Sequence, residues 1–309
     1  MNKRWKRRPE GSTWGDWGED DQLGRLNLIT PARRIVAMKE VLEGLSFCLS
    51  LPLNLPGGNS VNPKRHEPVF GPVFQSGEHY YNFDWEKHTQ GLMDITSDES
   101  LTLYSQYSTQ WDSLAHVGCK FDVWEDGNLV PVYYNGFKAG IDIGGPKGIG
   151  DMGAKALGIE NMARTGVQGR GVFISLHRHF GNDRVSVNHQ MLMEILRKDK
   201  IIIEKGDMVL FHTGWDDMIL SMDGNPDANK LHSSCAVLDG FDPTLLKWIS
   251  DTGISVIATD NMAVEDPFVF GDADGGCSRL PLHRHCLFRL GVHLGELWFL
   301  SELGKALLE

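Results

Sequence analysis

The chain has 309 residues, 41% hydrophobic and 23% charged, a balance that supports a core of normal size without disulfide or metal staples. Its formal net charge is −11, and an acidic chain repels phosphate backbones, so no nucleic-acid partner is expected. No run approaches the roughly 20 apolar residues of a membrane helix, so no membrane partner is expected either.

In chain order, the basic run Lys3-Arg4-Trp5-Lys6-Arg7-Arg8 reads as a solvated tail rather than an anion-binding arm. It lacks an apolar stretch behind its charges, so it is not a secretory signal. Residues 9–30 are rich in Gly, Trp and acid and have no period, which predicts an ordered N-terminal arm over residues 1–30. Thr30-Pro31 caps a helix from about Ala32 to Glu43, ended by Gly44. Leu45 to Leu53 alternates as a strand does. Residues 54–78 hold six Pro and Gly signals, at positions 56, 57, 58, 63, 68 and 72, and read as a long loop of the kind that often carries function.

Leu101 to Val117 reads as strand then turn. Buried strands are predicted at Gly171 to Leu176, Met208 to Thr213 and Ile254 to Thr259. Helices are predicted at Asn188 to Arg197, Pro243 to Asp251 and Leu282 to Leu290, the last ended by Gly291. Gly144-Gly145-Pro146-Lys147-Gly148 lacks the spacing of a phosphate loop. Helices and strands mix without regular βαβ spacing and without repeats or linkers. A single α/β domain over 31–309 behind the arm is therefore expected. The five cysteines, at 48, 119, 235, 277 and 286, include no C-x-x-C pair, which points to reduced thiols in a cytoplasmic setting and away from a zinc ribbon.

The segment most concerned with chemistry runs from Gln106 to His116. Gln106, Gln110, Asp112 and His116 share parity, and alternate residues of an extended segment point to one face. Gln106, Gln110 and Asp112 would converge where the chain stays extended, and His116 would follow a turn. Carboxylate and amide oxygens can hold a divalent ion while an imidazole shuttles protons. On pattern alone, a strand with one wet face explains the same residues.

This segment resembles the signature H-x-G-T-H-x-D-x-P-x-H of the cyclase and kynurenine-formamidase-like family of metal-dependent hydrolases. Thr109, Asp112 and His116 match it. Gln106 and Gln110 replace two histidines, Ser108 a glycine and Leu114 a proline. The stretch from Trp14 to Asn27 is similar to the N-terminal arm of one branch. Tyr134-Asn135-Gly136, Arg170-Gly171-Val172, Gly206 to Leu210 and Thr213-Gly214-Trp215 resemble internal signatures. Leu282-His283-Arg284-His285, Gly291 and Leu294 to Leu297 resemble the C-terminal pattern.

The resemblance implies a swivelling β/β/α fold and a dimer or tetramer whose neighbour the arm reaches. It implies a hydrolase of a small cyclic amide, lactone or formamide, with Asp112, His283 and Glu296 as metal ligands and His116 as general acid/base with Asp112. Gln106 and Gln110 would fill ligand positions with neutral, hard oxygens, which suit Mg²⁺ or Mn²⁺ better than Zn²⁺. His285, two residues from His283, would face away from it. Trp111, Trp85, Phe70, His177 and His179 are candidate substrate contacts, although aromatic residues are more often plain core. Asp260, Asn261 and Glu265 resemble a family segment near the pocket, with a structural role equally open. A metal-free cyclase or lyase using His116 and Asp112, and a non-catalytic small-molecule binder, are the alternatives.

Overall fold

The computed structural model describes residues 3–146, 152–273 and 276–308. Its centre is a five-stranded sheet of β1 (Gln110–Asp112), β2 (Gly171–Ser175), β3 (Met208–His212), β4 (Val256–Thr259) and β5 (His293–Glu296), in spatial order β2-β3-β4-β5-β1. The parallel members are β2 to β5, and β1 closes the edge antiparallel to β5. Parallel strands covered on both faces read as continuous apolar runs, and β4, Val-Ile-Ala-Thr, is buried at every residue.

Among the helices are α1 (Pro31–Ala37), α2 (His189–Lys198), α3 (Trp215–Ser221), α4 (Pro243–Thr252) and α5 (Ser301–Leu308). Asn188 caps α2 by accepting from Met191 N, and Asp242 caps α4 by accepting from Thr244 N, with Pro243 in the first turn. Leu192, Ile195, Leu245 and Ile249 of these helices join Ile174, Val209, Phe211 and Ile257 of the sheet in one core. A helical segment, Pro281–His283, continues as a π-helical stretch, Arg284–Leu290, and ends at left-handed Gly291. Mixed α/β architecture in one domain is the expectation from sequence, and it holds. Among the described residues, no helix is long and apolar enough to cross a membrane.

Four local expectations are corrected. The predicted 32–43 helix is α1 plus a 3₁₀ turn, Met38–Glu40, and neither buries a residue. With Ile35, Val36, Val41 and Leu42 left in water, no packing extends it beyond its capped start. The predicted strand at Leu45 to Leu53 reduces to one bridge, Ser50 to Trp298, beside Pro52, which has no N–H to donate. The predicted loop of 54–78 carries strands at Val69–Pro72, Phe74–Gln75 and Glu78–His79. The sequence 144–148 lies only in part within the described residues.

The fourth correction concerns the N-terminus. The basic run is held down rather than solvated. Lys6 N and Arg7 N donate to Val123 O, Lys6 pairs with Glu125 at 2.8 Å, and Arg4 pairs with Asp20 at 2.8 Å. Trp5 packs on the core. The arm behind it also lies on its own chain. Trp14 is fully buried, and its Nε1 donates to Phe288 O at 2.7 Å. Asn135, in the left-handed region at φ 55°, donates to the carbonyls of Gly18, Glu19 and Asp21 and accepts from Gly15 N. Residues 4–21 are thus fastened intramolecularly, against the expectation that the arm reaches a neighbouring subunit.

Candidate active site

Strand register builds the site. Glu296 pairs with Gln110 and Leu294 with Asp112, so Gln110, Asp112 and Glu296 project from one face of the sheet edge. Trp111 projects from the other face, at 4.9 Å from the Trp298 ring, within the cluster of Leu26, Ile29 and Val256. Gly295 makes room there, because a Cβ would lie 2.5 Å from Trp298 Nε1. Gln106 arrives from the preceding turn rather than from the strand. Thr109 ties that turn down, accepting from Leu51 N at 2.8 Å and donating to Leu297 O.

His283 enters from the helical segment after Pro281. Its Nε2 lies 3.1 Å from Glu296 Oε1 and 3.6 Å from Asp112 Oδ2. Its Nδ1 lies 2.8 Å from Glu265 Oε1, and Glu265 also accepts from the backbone N–H groups of Leu282 and His283. The turn that aims Glu265 holds Ala263 and Val264 at φ 77° and 57°. A β-branched residue at positive φ is strained; Asn261 holds the turn by accepting from Val264 N and donating to Ala236 O.

The amides complete the group. Gln106 Nε2 donates to Asp112 Oδ1 at 2.8 Å, and Gln110 Nε2 donates to Gln106 Oε1 at 2.7 Å and Glu296 Oε2 at 2.9 Å. Arg65 backs them, its guanidinium donating to Gln106 O at 2.6 Å. His116 stands at the rim with its side chain 33% exposed, Nε2 3.8 Å from Asp112 Oδ1 and its ring 6.4 Å from that of His283.

Electrostatics follow from this packing. Burial pushes the Asp112 carboxyl up, but His283, His116 and the Gln106 amide outweigh it and hold it below its ordinary value. Burial pushes His283 down, yet Asp112, Glu265 and Glu296 together raise it well above an ordinary histidine. His293, on β5 behind the site, is buried without such partners and is pushed down to about 4.

The donor set fits a hard divalent cation. One ligand atom from each of Asp112, His283 and Glu296 lies within 4.8 Å of the others. Asp112 Oδ2 and Gln110 Oε1 are buried with no hydrogen-bond partner, and such orphaned oxygens are what a cation would satisfy. A second group, His212, Asp216 and Asp260, does not fit one. Asp260 accepts from Thr213, Gly214 and Trp215 N, and Asp216 from Asp217, Leu300 and Ser301 N. These carboxylates are already satisfied and fasten α3 and α5 to the sheet.

Gln106, Gln110, Asp112, His116, His283 and Glu296 are brought together. The other candidates lie elsewhere. Trp85 packs on Phe83 and Tyr80, and Phe70 is 64% exposed on a hairpin strand. His177 bonds Asn182 and His179 bonds Asp199; these are polar contacts of a short helix. His285 does face away, with Nε2 2.9 Å from Ser250 Oγ. Two contributors are not among the expected site residues. Glu265 lies in a segment that the sequence singles out without a role, and Arg65 has no signal beyond the length of its loop.

Known proteins place this arrangement. The cyclase family model matches residues 47–266. A crystal structure described as a novel cyclase is 28% identical, covers 96% of this chain and 87% of its own, and superposes with a TM-score of 0.71. Isatin hydrolase A from Labrenzia aggregata, bound to benzyl benzoate, is 12% identical over 86% of this chain and 87% of its own, with a TM-score of 0.50, and shares the fold. Comparison with curated proteins gives no match. On the extent of the family match, the chain belongs to the cyclase family.

Proposed function

We propose that the chain is a metal-dependent hydrolase that opens the C–N or C–O bond of a small cyclic amide, lactone or formamide. The observation that carries this reading is the convergence of Asp112, His283 and Glu296 on one point, with Asp112 Oδ2 unpartnered beside it. Those three residues would hold the ion, with Gln110 Oε1 as a neutral oxygen nearby. A divalent ion bound there supplies a Lewis acid and a water of lowered pKa.

The chain's own groups do the rest. Glu265 fixes the ring of His283 through Nδ1, leaving Nε2 for the shared centre. Gln106 holds Asp112 Oδ1 and is itself held by Arg65. Water adds to the substrate carbonyl and the ring C–N or C–O bond breaks. His116, at the solvent edge and 3.8 Å from Asp112, delivers a proton to the departing nitrogen or oxygen. The test is turnover of a panel of cyclic imides, lactones and formamides by protein loaded with Mn²⁺, Zn²⁺ or Mg²⁺; no turnover of any member would sink the reading.

A second reading has one observation in its favour. The N–H groups of Gln106 and Gln110 already sit on Asp112 and Glu296, which is how amides stand in for a cation. On that reading the protein is a metal-free cyclase or lyase in which His116 and Asp112 move protons. Equal activity before and after chelation would select it.

The same proposal has a catalytic domain over 31–309 acting as a homodimer or homotetramer. The apolar side chains of α1 left in water support this, and light scattering tests it. Five free thiols suit a reducing cytoplasm.

A further inference from the structure

A cavity of about 360 Å³ lies behind the 281–290 helical segment. In a chain of net charge −11, its walls are cationic: Arg7, Arg8, Lys120, Arg284, His285 and Arg289 line it, and Glu10 is the one acid among its described lining residues. Arg8 is matched by Asp16 at 2.6 Å. Arg7 and Lys120 make no ion pair among the described residues; the Arg7 guanidinium instead lies 4.9 Å over the Phe121 ring. Gathering like charges without matching carboxylates is unfavourable unless an anion relieves it.

The floor is of a different kind. Phe121 and Phe288 meet edge to face at 6.3 Å, with Leu246 beside them. A cationic rim over an aromatic floor suits a ligand with an anionic head and a flat apolar body. The volume falls in the range of small-molecule sites and exceeds what an inorganic anion fills. Several guanidinium forks around one space match a phosphate better than a lone carboxylate, since each can take two oxygens. The rim is also pre-set. Lys6 N and Arg7 N are bonded to Val123 O and Trp5 is packed on the core, so little ordering is left to binding.

This place is separate from the Asp112 centre. His283 turns toward Glu296, while His285 turns to Ser250 on the cavity side. We propose that the cavity is a binding site for a small organic phosphate, its phosphate on Arg7 and Lys120 and its ring on Phe121 and Phe288.

The test is titration calorimetry of the full chain with adenosine monophosphate, adenosine and inorganic phosphate as probes. Adenosine monophosphate is expected to bind at sub-millimolar concentration, at least 10-fold more tightly than either control, and more weakly as salt rises. The Arg7→Ala/Lys120→Ala variant should lose that affinity at least 10-fold. Both side chains are exposed, so its melting curve should match wild type, and the single variant Lys120→Ala gives the same reading with less risk to the fold. No binding at millimolar nucleotide, equal binding of adenosine, equal binding of inorganic phosphate, or affinity unchanged in the variants would each overturn the proposal.

Discussion

Replacing Glu265 should damage the fold and the site together. The residue is 1% exposed and accepts three hydrogen bonds, from Leu282 N at 2.9 Å, His283 N at 2.8 Å and His283 Nδ1 at 2.8 Å. Glu265→Ala leaves two buried backbone donors and one buried imidazole without acceptors. Breaking a buried charge pair in this way costs about 3–5 kcal/mol, a large share of the roughly 5–15 kcal/mol typical of a whole domain. Glu265→Gln keeps the shape but gives up charge-assisted bonds, a loss of about 1–2 kcal/mol.

The pH dependence carries a sign. His283 is raised in the folded state, so its contribution is fully present below the unfolded value of about 6.5 and fades as pH rises through the folded one. Glu265→Gln removes one of its supports and should move that fading to lower pH. Urea unfolding of wild type and both variants from about pH 6 to about pH 9 measures all of this. A Glu265→Ala protein within about 0.5 kcal/mol of wild type, the size of an ordinary surface change, would refute the network.

Three further outcomes are expected. His116→Ala should lower kcat by about 10²–10⁴-fold with an unchanged melting curve, because the side chain stands at the rim; near-normal turnover would remove it from the reaction. His293, pushed down to about 4 by burial, should stay neutral in the fold through mildly acid pH. Its stability contribution is then present above about 6.5 and lost as pH falls toward 4, amounting to about 3 kcal/mol. NMR titration showing a protonated His293 near pH 6 would contradict this. Gln106→His with Gln110→His should raise Zn²⁺ affinity at least 10-fold in a competition titration, since both amides already reach the carboxylates; equal affinity would mean that these positions do not face an ion.

The sheet and the centre of the site are legible in the sequence because their signals are local or short-range. Apolar runs mark β2, β3 and β4, and Asn188, Pro243 and Gly291 mark helix ends. Side-chain parity places Gln110 and Asp112 on one face, and the strand register adds Glu296. Parity also places Gln106 there, but for the wrong reason: it comes from a turn, whose path depends on Thr109 bonding to Leu51 and Leu297 far away in sequence. Glu265 and Arg65 depend on the same kind of long-range closure. Trp111 and Trp85 are plain packing, since an aromatic side chain finds apolar neighbours wherever the chain folds back. The basic run does not read as an anchor because its partners, Val123, Glu125 and Asp20, are individually ordinary residues and only their placement makes one.

Whether Asp112, His283 and Glu296 hold an ion decides the chemistry. Chelated, metal-free protein should be equilibrated with Mn²⁺, passed through gel filtration and counted for bound metal, beside Asp112→Asn and Glu296→Gln variants. Stoichiometric retention is predicted for wild type, with a melting temperature that rises on loading by an amount equivalent to about 2.7 kcal/mol at 100 times Kd, and loss of both effects in the variants. Wild type that retains no Mn²⁺, Zn²⁺ or Mg²⁺ and melts at the same temperature in chelator would contradict it.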